Sequence, residues 1–345
     1  MESCQMCQGK IPLSETGQLI LASGRTEILK EVQRAFKRSS PEANSQGTRL
    51  YIPYKDWDEL HEHMNRLNQT VEKEEIQRIR GSLIDEHGSR HMPGNSFTMP
   101  ELSEQIDHPE MVKIIQERLF QSFMQPVIDA RTDEPFGYEF LLRPNSKVYP
   151  FNPGELFAFS QNSGLQSMLD SQARINAIRT SSHRLMPGMK RFINFLPSSI
   201  YDPSHCLKST FKAVKDYNVN PEDLVFEVVE TEKITDIAHL KYIFSEYKKA
   251  GVMVALDDVG TGFSTIEVLK ELQPNYAKLD RSLIQDIHLH PEKAEKLKEY
   301  REAAASQNIK LLAEGIELPE EYNIVKPLVD YVQGYYFGKP MIKPA

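Results

Sequence analysis

"VMVALDDVGTGFST", residues 252–265, is a short apolar run that ends in two adjacent carboxylates, Asp257 and Asp258, and passes straight into Gly260-Thr261-Gly262. A run of this length, bounded by glycine, suits a strand buried on both faces, as in a parallel sheet. Two negative charges at its C-terminal end then need a reason. In a barrel of alternating strands and helices, that end of each strand is where active sites are built. The fold therefore turns on whether the rest of the chain repeats the pattern.

The pattern recurs from about residue 121 onward. Short apolar runs appear as "FMQPVID" (123–129), "GYEFLLR" (137–143), "RFINFL" (191–196), "LVFEVVE" (224–230), "YAKLD" (276–280), "KLLAEGI" (310–316) and "YVQGYYFG" (331–338). Helical patterns lie between most of them, at 164–184, 203–218, 236–250, 264–272, 288–307 and 318–328. About eight βα units predict a closed barrel of the TIM (β/α)8 type. The first two runs are joined only by "ARTDEPF", too short for a crossover helix, so they are expected to form an antiparallel hairpin. The fold class is thus α/β, a modified TIM barrel with an antiparallel first strand, preceded by a small, mainly helical N-terminal region.

Polar residues gather where these runs end: Asn194, Glu227, Glu230, Asp257, Asp258, Lys278, Asp280, Glu314 and Gln333, with Glu139 inside the second run. A single acid at a strand end is usually a helix cap or a solvated loop residue. Six oxygen ligands recurring at the same place in successive units are a different matter. Glu139, Asn194, Glu227, Asp257, Asp258 and Glu314 form a set of five carboxylates and one amide. Clustered carboxylates repel one another and shift toward protonation unless a cation joins them. Oxygen-only ligands suit Mg²⁺ or Mn²⁺. No His or Cys is interleaved, which argues against zinc. Two ions a few Å apart, with Asp257 bridging, would clamp a phosphoryl group and acidify a bound water. Lys278 offers a positive charge to a phosphate oxygen or to the attacking water, and Arg143 a planar fork for phosphate.

Composition limits the alternatives. The chain has 345 residues and a formal net charge of -8, which argues against a broad DNA or RNA surface. No apolar run approaches the roughly 18–20 residues of a membrane span. No basic-then-apolar leader pattern opens the sequence, and the chain reads as cytoplasmic. Residues 1–115 differ in texture from 116–345 and are read as a separate region of unassigned role. "GQLILAS" and "RLYIPY" predict strands there. "TEILKEVQRAFKRS" predicts a helix capped by Thr26. Apolar residues from Trp57 to Leu83 predict one long helix over 56–85, and another helix is expected over 99–120. Cys4-x-x-Cys7 is half of a zinc site, a redox pair, or simply two reduced thiols. His61, His63, His87 and His91 are candidate partners, as is a second chain. His61 and His63, two residues apart, do not share a helix face and read as solvated polar residues.

Taken together, "QPVIDARTDEPFGYEFLLRP", "FINFLPSSI", "LVFEVVETE", "ALDDVGTGFS", "AKLDRSLI", "LLAEGIE" and "VQGYYFGKP" resemble, in order and spacing, the EAL-domain family of cyclic di-GMP phosphodiesterases over about residues 121–341. The resemblance implies hydrolysis of cyclic di-GMP to linear pGpG with two ions per site, Mg²⁺ or Mn²⁺. It implies that Glu139, Asn194, Glu227 and Asp257 hold one ion. Asp257, Asp258 and, directly or through water, Glu314 serve the second. Lys278 orients or activates the water, with Glu314 and Glu139 as its catalytic companions. Glu230 steadies the loop after Asp258, and Gln125, Arg143 and Gln333 meet substrate. A homodimer through the barrel is a further implication. Three positions depart from the family pattern. Phe140 stands where alanine or valine is usual, Val229 replaces a threonine and Val259 an aromatic residue. The alternative to an enzyme is a cyclic di-GMP receptor that signals through the N-terminal region.

Overall fold

The computed structural model describes residues 14–37, 40–85, 96–228, 236–261 and 265–343. Cys4, Cys7, His87, His91, Val229, Glu230 and Gly262 lie outside them. The chain divides into two compact units, residues 1–120 with 144–169, and residues 121–143 with 170–345.

The first unit holds a five-stranded sheet: β1 (Gly17–Ala22), β2 (Asn44–Gln46), β3 (Arg49–Tyr54), β4 (Arg80–Asp85) and β5 (Phe97–Thr98). The strand order is β2-β3-β1-β4-β5, antiparallel at each pairing. Helix Thr26–Phe36 follows β1 and helix Trp57–Thr70 follows β3, which interleaves two βαβ halves. Pro53 is tolerated in β3 because the pairing with β2 stops at Tyr51 and leaves an open edge beyond.

Residues 56–85 do not form one helix. The helix stops at Thr70, a short turn of helix covers Lys73–Ile76, and β4 begins at Arg80. The spacing of four between Ile79 and Leu83 fits a helix face and also a period of two. Gly81 disfavours the helix, and backbone pairing to β1 decides for the strand. The expected helix at 99–120 is interrupted by His108–Pro109 into Met99–Asp107 and Pro109–Glu117. Thr26 is the first helical residue; Arg25 occupies the cap position without a side-chain bond. His63 is buried, at 2% exposure. It stands edge-on to Phe36, with Nε2 3.0 Å from Pro53 O, so it is a core residue of this unit.

The second unit is the barrel: β6 (Phe120–Asp129), β7 (Pro135–Pro144), β8 (Lys190–Phe195), β9 (Leu224–Val228), β10 (Met253–Val259), β11 (Tyr276–Leu279), β12 (Lys310–Ala313) and β13 (Tyr331–Val332). These eight strands close in the order β10-β11-β12-β13-β6-β7-β8-β9. The pairings from β7 round to β13 are parallel, and β6 runs antiparallel to β13. The turn between β6 and β7 is closed by Asp129 N donating to Glu134 O at 2.9 Å. The modified barrel with a reversed first strand is therefore what forms.

The outer helices dock as their spacing dictates. Helix Ile237–Lys249 buries Leu240, Ile243, Phe244 and Tyr247, an i, i+3, i+4, i+7 stripe, and Asp236 caps it by accepting from His239 N. Each such buried side chain contributes roughly 1.5–3 kcal/mol. The strands' outward residues, among them Phe140, Ile193, Val254, Leu256 and Val259, join these helices in one apolar cluster. Phe140 thus points away from Glu139 and finds room in the helix layer.

Candidate functional site

The barrel interior has two layers, and strand periodicity alone builds both. Val127, Phe192, Val225, Ala255, Tyr276, Leu312 and Tyr331 form a dry floor. Phe136 stacks on Tyr331 with ring centroids 4.0 Å apart, and Phe192 meets Tyr276 edge-on at 5.5 Å. Two residues further along the chain from six of these floor residues stand Asn194, Glu227, Asp257 and Lys278 on their strands, and Glu314 and Gln333 just past the ends of β12 and β13. Gln125 takes the equivalent place on reversed β6, two residues before Val127. Glu139 stands two residues after Gly137 on β7.

Lys278 is the centre of this upper layer. It is 1% exposed, and its Nζ lies 2.5 Å from Glu227 Oε2, 2.7 Å from Glu314 Oε1, 3.2 Å from Asp257 Oδ1 and 3.6 Å from Glu139 Oε1. Burial pulls the Lys278 ammonium toward neutrality, but the four carboxylates outweigh it and hold the lysine charged, well above its ordinary value. The carboxylates share one cation unequally. Burial and mutual repulsion push Glu227 and Glu314 well above the usual carboxylate range and raise Asp257. Glu139, also penalised by burial, is held low by Lys278 and by amide donors. Those donors are Gln333 Nε2 at 2.7 Å and Asn194 Nδ2 at 3.1 Å.

Adjacent residues of a regular strand face opposite ways, so Asp257 and Asp258 could not both serve one site without a break. The break is present. Leu256 pairs with Ala277 and Val259 with Leu279, so β10 carries one residue more than β11 across this interval. Asp258 takes up the extra residue in the left-handed region, φ 51°, and its N–H donates to Asp257 Oδ1 at 3.0 Å. As a result, Asp257, Asp258 and Glu314 each bring a carboxylate oxygen within 4.8 Å of the others. Val259, where an aromatic was expected from the resemblance, is fully buried in the helix-side cluster.

The donor set fits divalent cations. It is all oxygen. Glu227 is wholly buried, and its Oε1 has no hydrogen-bond partner among the described residues; nor has the buried Oε1 of Gln333. A buried carboxylate oxygen left without a donor is costly, and a cation there removes the cost.

Of the other residues singled out from sequence, Gln125 is buried and donates to Gly338 O at 3.2 Å. Arg143 is half-buried, and its guanidinium donates to Leu142 O at 2.7 Å. Among the described residues it makes no ion pair with the carboxylate cluster. Asp280 caps the short helix Arg281–Ile284, accepting from Ser282 N. The step after Gln333 needs glycine, because a Cβ at Gly334 would sit 2.0 Å from Ile316 O.

Two buried carboxylates that sequence reasoning passed over also shape the rim. Glu321 accepts from Asp286 N at 2.8 Å, Glu317 N at 2.9 Å and Leu318 N at 3.1 Å, tying the segments after β11 and β12 together. Asp170 bonds the segment after β8. Neither carries a distinctive signal: an acid in a polar helical stretch reads as solvated.

Comparison with known proteins agrees with this geometry. The chain is 31% identical over 232 residues to the Escherichia coli protein named probable cyclic di-GMP phosphodiesterase PdeG, across 64% of this chain and 44% of that protein. It is 26% identical over 254 residues to the Bacillus subtilis signaling protein YkoW, across 68% of this chain and 31% of that one. The chain thus spans less than half the length of either relative. Among solved structures, a standalone versatile EAL protein from Vibrio cholerae O395, in a c-di-GMP bound form, is 33% identical. Its TM-score is 0.59, with 66% of this chain and 94% of that chain covered. Klebsiella pneumoniae BlrP1, as a calcium/cyclic-di-GMP complex, shares the fold over 94% of this chain and 96% of its own, at 20% identity and a TM-score of 0.60. No described helix is long and apolar enough to cross a membrane. With the EAL domain model matching residues 110–340, the chain belongs to the EAL domain family.

Proposed function

We propose that the barrel hydrolyses one phosphodiester bond of cyclic di-GMP to give linear pGpG, with two divalent cations, Mg²⁺ or Mn²⁺. One observation carries the reading. Four carboxylates converge on a single ammonium, a formal charge of −3 when all are ionised, and one of their buried oxygens has no donor among the described residues. Such a set demands further positive charge. Glu139, Asn194, Glu227 and Asp257 would hold one ion; Asp257, Asp258 and Glu314 would hold the other. When bound, the ions supply charge neutralisation for the phosphoryl group and a more acidic water.

The chain's own groups do the rest. Water oxygen attacks phosphorus, the P–O3′ bond breaks, and the phosphate stays on the 5′ oxygen while the 3′ oxygen takes up a proton. Lys278 holds the attacking water or a phosphate oxygen by its ammonium, and Glu139 and Glu314 orient that ammonium. Gln125, Gln333 and Arg143 are assigned to substrate, and the barrel is assigned a homodimeric state. The relatives' names and the nucleotide-bound Vibrio cholerae structure support the choice of ligand.

The test is turnover. Purified protein with Mn²⁺ or Mg²⁺ is expected to convert cyclic di-GMP to pGpG, resolved by chromatography, and excess chelator to stop it. Glu139→Ala and Lys278→Ala are each expected to abolish turnover. Tight binding of cyclic di-GMP without turnover in either metal would overturn the enzyme reading in favour of a receptor.

A further inference from the structure

The loop that follows β8 is fixed from behind by a buried ion pair that belongs to no ligand. Asp170 and Arg174, one turn apart on the helix Gln166–Arg184, are each 2% exposed and paired through Asp170 Oδ2 and Arg174 Nη1. Asp170 Oδ2 also accepts from Ser199 Oγ, and Asp170 Oδ1 accepts from the backbone N–H of Leu196 at 3.0 Å. Arg174 is in turn held by Nε donating to Thr210 Oγ1 at 3.3 Å. Leu196 is two residues past Asn194, at the point where β8 gives way to the turn Pro197–Ser199.

A buried ion pair is rarely retained for stability, because desolvation offsets much of its attraction. This pair has a directional output instead. It holds the first backbone N–H past the end of β8, two residues beyond Asn194, which itself donates to Glu139 at 3.1 Å. We propose that Asp170, locked by Arg174 and Ser199, is a positioning residue for Asn194, and through it for the cation-binding oxygens of the barrel mouth. This rests on the reading of that mouth as a divalent-cation site. Outer partners of ligating side chains typically change metal affinity about 10–100-fold when removed.

The experiment measures Mn²⁺ binding directly, by calorimetry on the full chain without nucleotide, alongside the Mn²⁺ midpoint for turnover. Asp170→Asn keeps an acceptor for Leu196 N but loses the pairing with Arg174. It is expected to raise the Mn²⁺ dissociation constant about tenfold or more, with the cyclic di-GMP KM at saturating Mn²⁺ within about twofold of wild type. In an Asn194→Ala background the same change should add little, because both act on one ligand. Ser199→Ala, which removes one donor and no charge, serves as the gentler variant and should weaken Mn²⁺ about threefold with an unchanged melting temperature. Unaltered Mn²⁺ binding in folded Asp170→Asn or Ser199→Ala would overturn the proposal, as would full additivity with Asn194→Ala. A wild-type protein that binds no Mn²⁺ would instead overturn the cation site itself.

Discussion

Replacing Lys278 with methionine tests whether the ammonium stands in the place of a cation. Methionine has nearly the length of lysine and leaves little cavity, so the change isolates the charge. In the protein free of metal, the substitution removes an ammonium that lies within 2.5–3.6 Å of all four carboxylates. Breaking a buried ion pair by deleting one partner typically costs about 3–5 kcal/mol. Protonation of Glu227 and Glu314, both already raised chiefly by burial, keeps the loss toward the lower figure. The assay is urea unfolding followed by circular dichroism, first with chelator and then across a Mn²⁺ titration. A ligand that binds only the folded state stabilises by about 2.7 kcal/mol at a hundredfold excess over its dissociation constant. The variant is therefore expected to recover most of its deficit in Mn²⁺ and to gain more than wild type does, while remaining inactive. A variant as stable as wild type in chelator, or one that gains less from Mn²⁺, would refute the reasoning.

Three further outcomes follow from particular residues. Gly260→Ala places a Cβ 2.3 Å from Leu283 Cδ1 at φ 105° and should lower Mn²⁺ affinity measurably by calorimetry, since the bend after Asp257-Asp258 must shift. Val259→Phe overfills a fully buried position and should cost about 1–3 kcal/mol in urea unfolding. Asp330 joins the opposite end of the barrel by accepting from Leu311 N at 3.1 Å, Arg301 at 2.7 Å and Lys310 at 3.1 Å. Burial opposes its ionisation, but these donors outweigh it and hold the carboxyl below the usual aspartate value of 3.8. Its contribution is thus fully present above that value and is lost as pH falls through the depressed one. Asp330→Asn should flatten the acid limb of melting temperature against pH, and an unchanged limb would refute the assignment.

Much of the barrel was legible because its strands announce themselves twice, by apolar runs and by the polar residue at each end. Glu227, Asp257, Lys278 and Glu314 could be gathered to one mouth from spacing alone, since a period of two puts them on the face that Val225, Ala255, Tyr276 and Leu312 fill below. What escaped was information held in pairing rather than in pattern. The bulge at Asp257-Asp258 exists only relative to β11. The strand at Arg80–Asp85 is decided by its partner β1, not by Ile79 and Leu83. Asp170 and Arg174 look like a solvated i, i+4 pair until the segment after β8 is laid over them.

The aromatic floor has a kinetic meaning. With Phe136 against Phe192, Tyr276 and Tyr331, and Tyr276 against Phe192 and Tyr331, beneath the carboxylates, the lower barrel is filled by rings, and a molecule held at the carboxylates is expected to enter and leave by one opening. If the barrel hydrolyses cyclic di-GMP as proposed, a linear product waiting at the lip would bar the next cyclic molecule. Product inhibition should be competitive with substrate, and the turnover rate should be sensitive to whatever clears the opening rather than to a second exit.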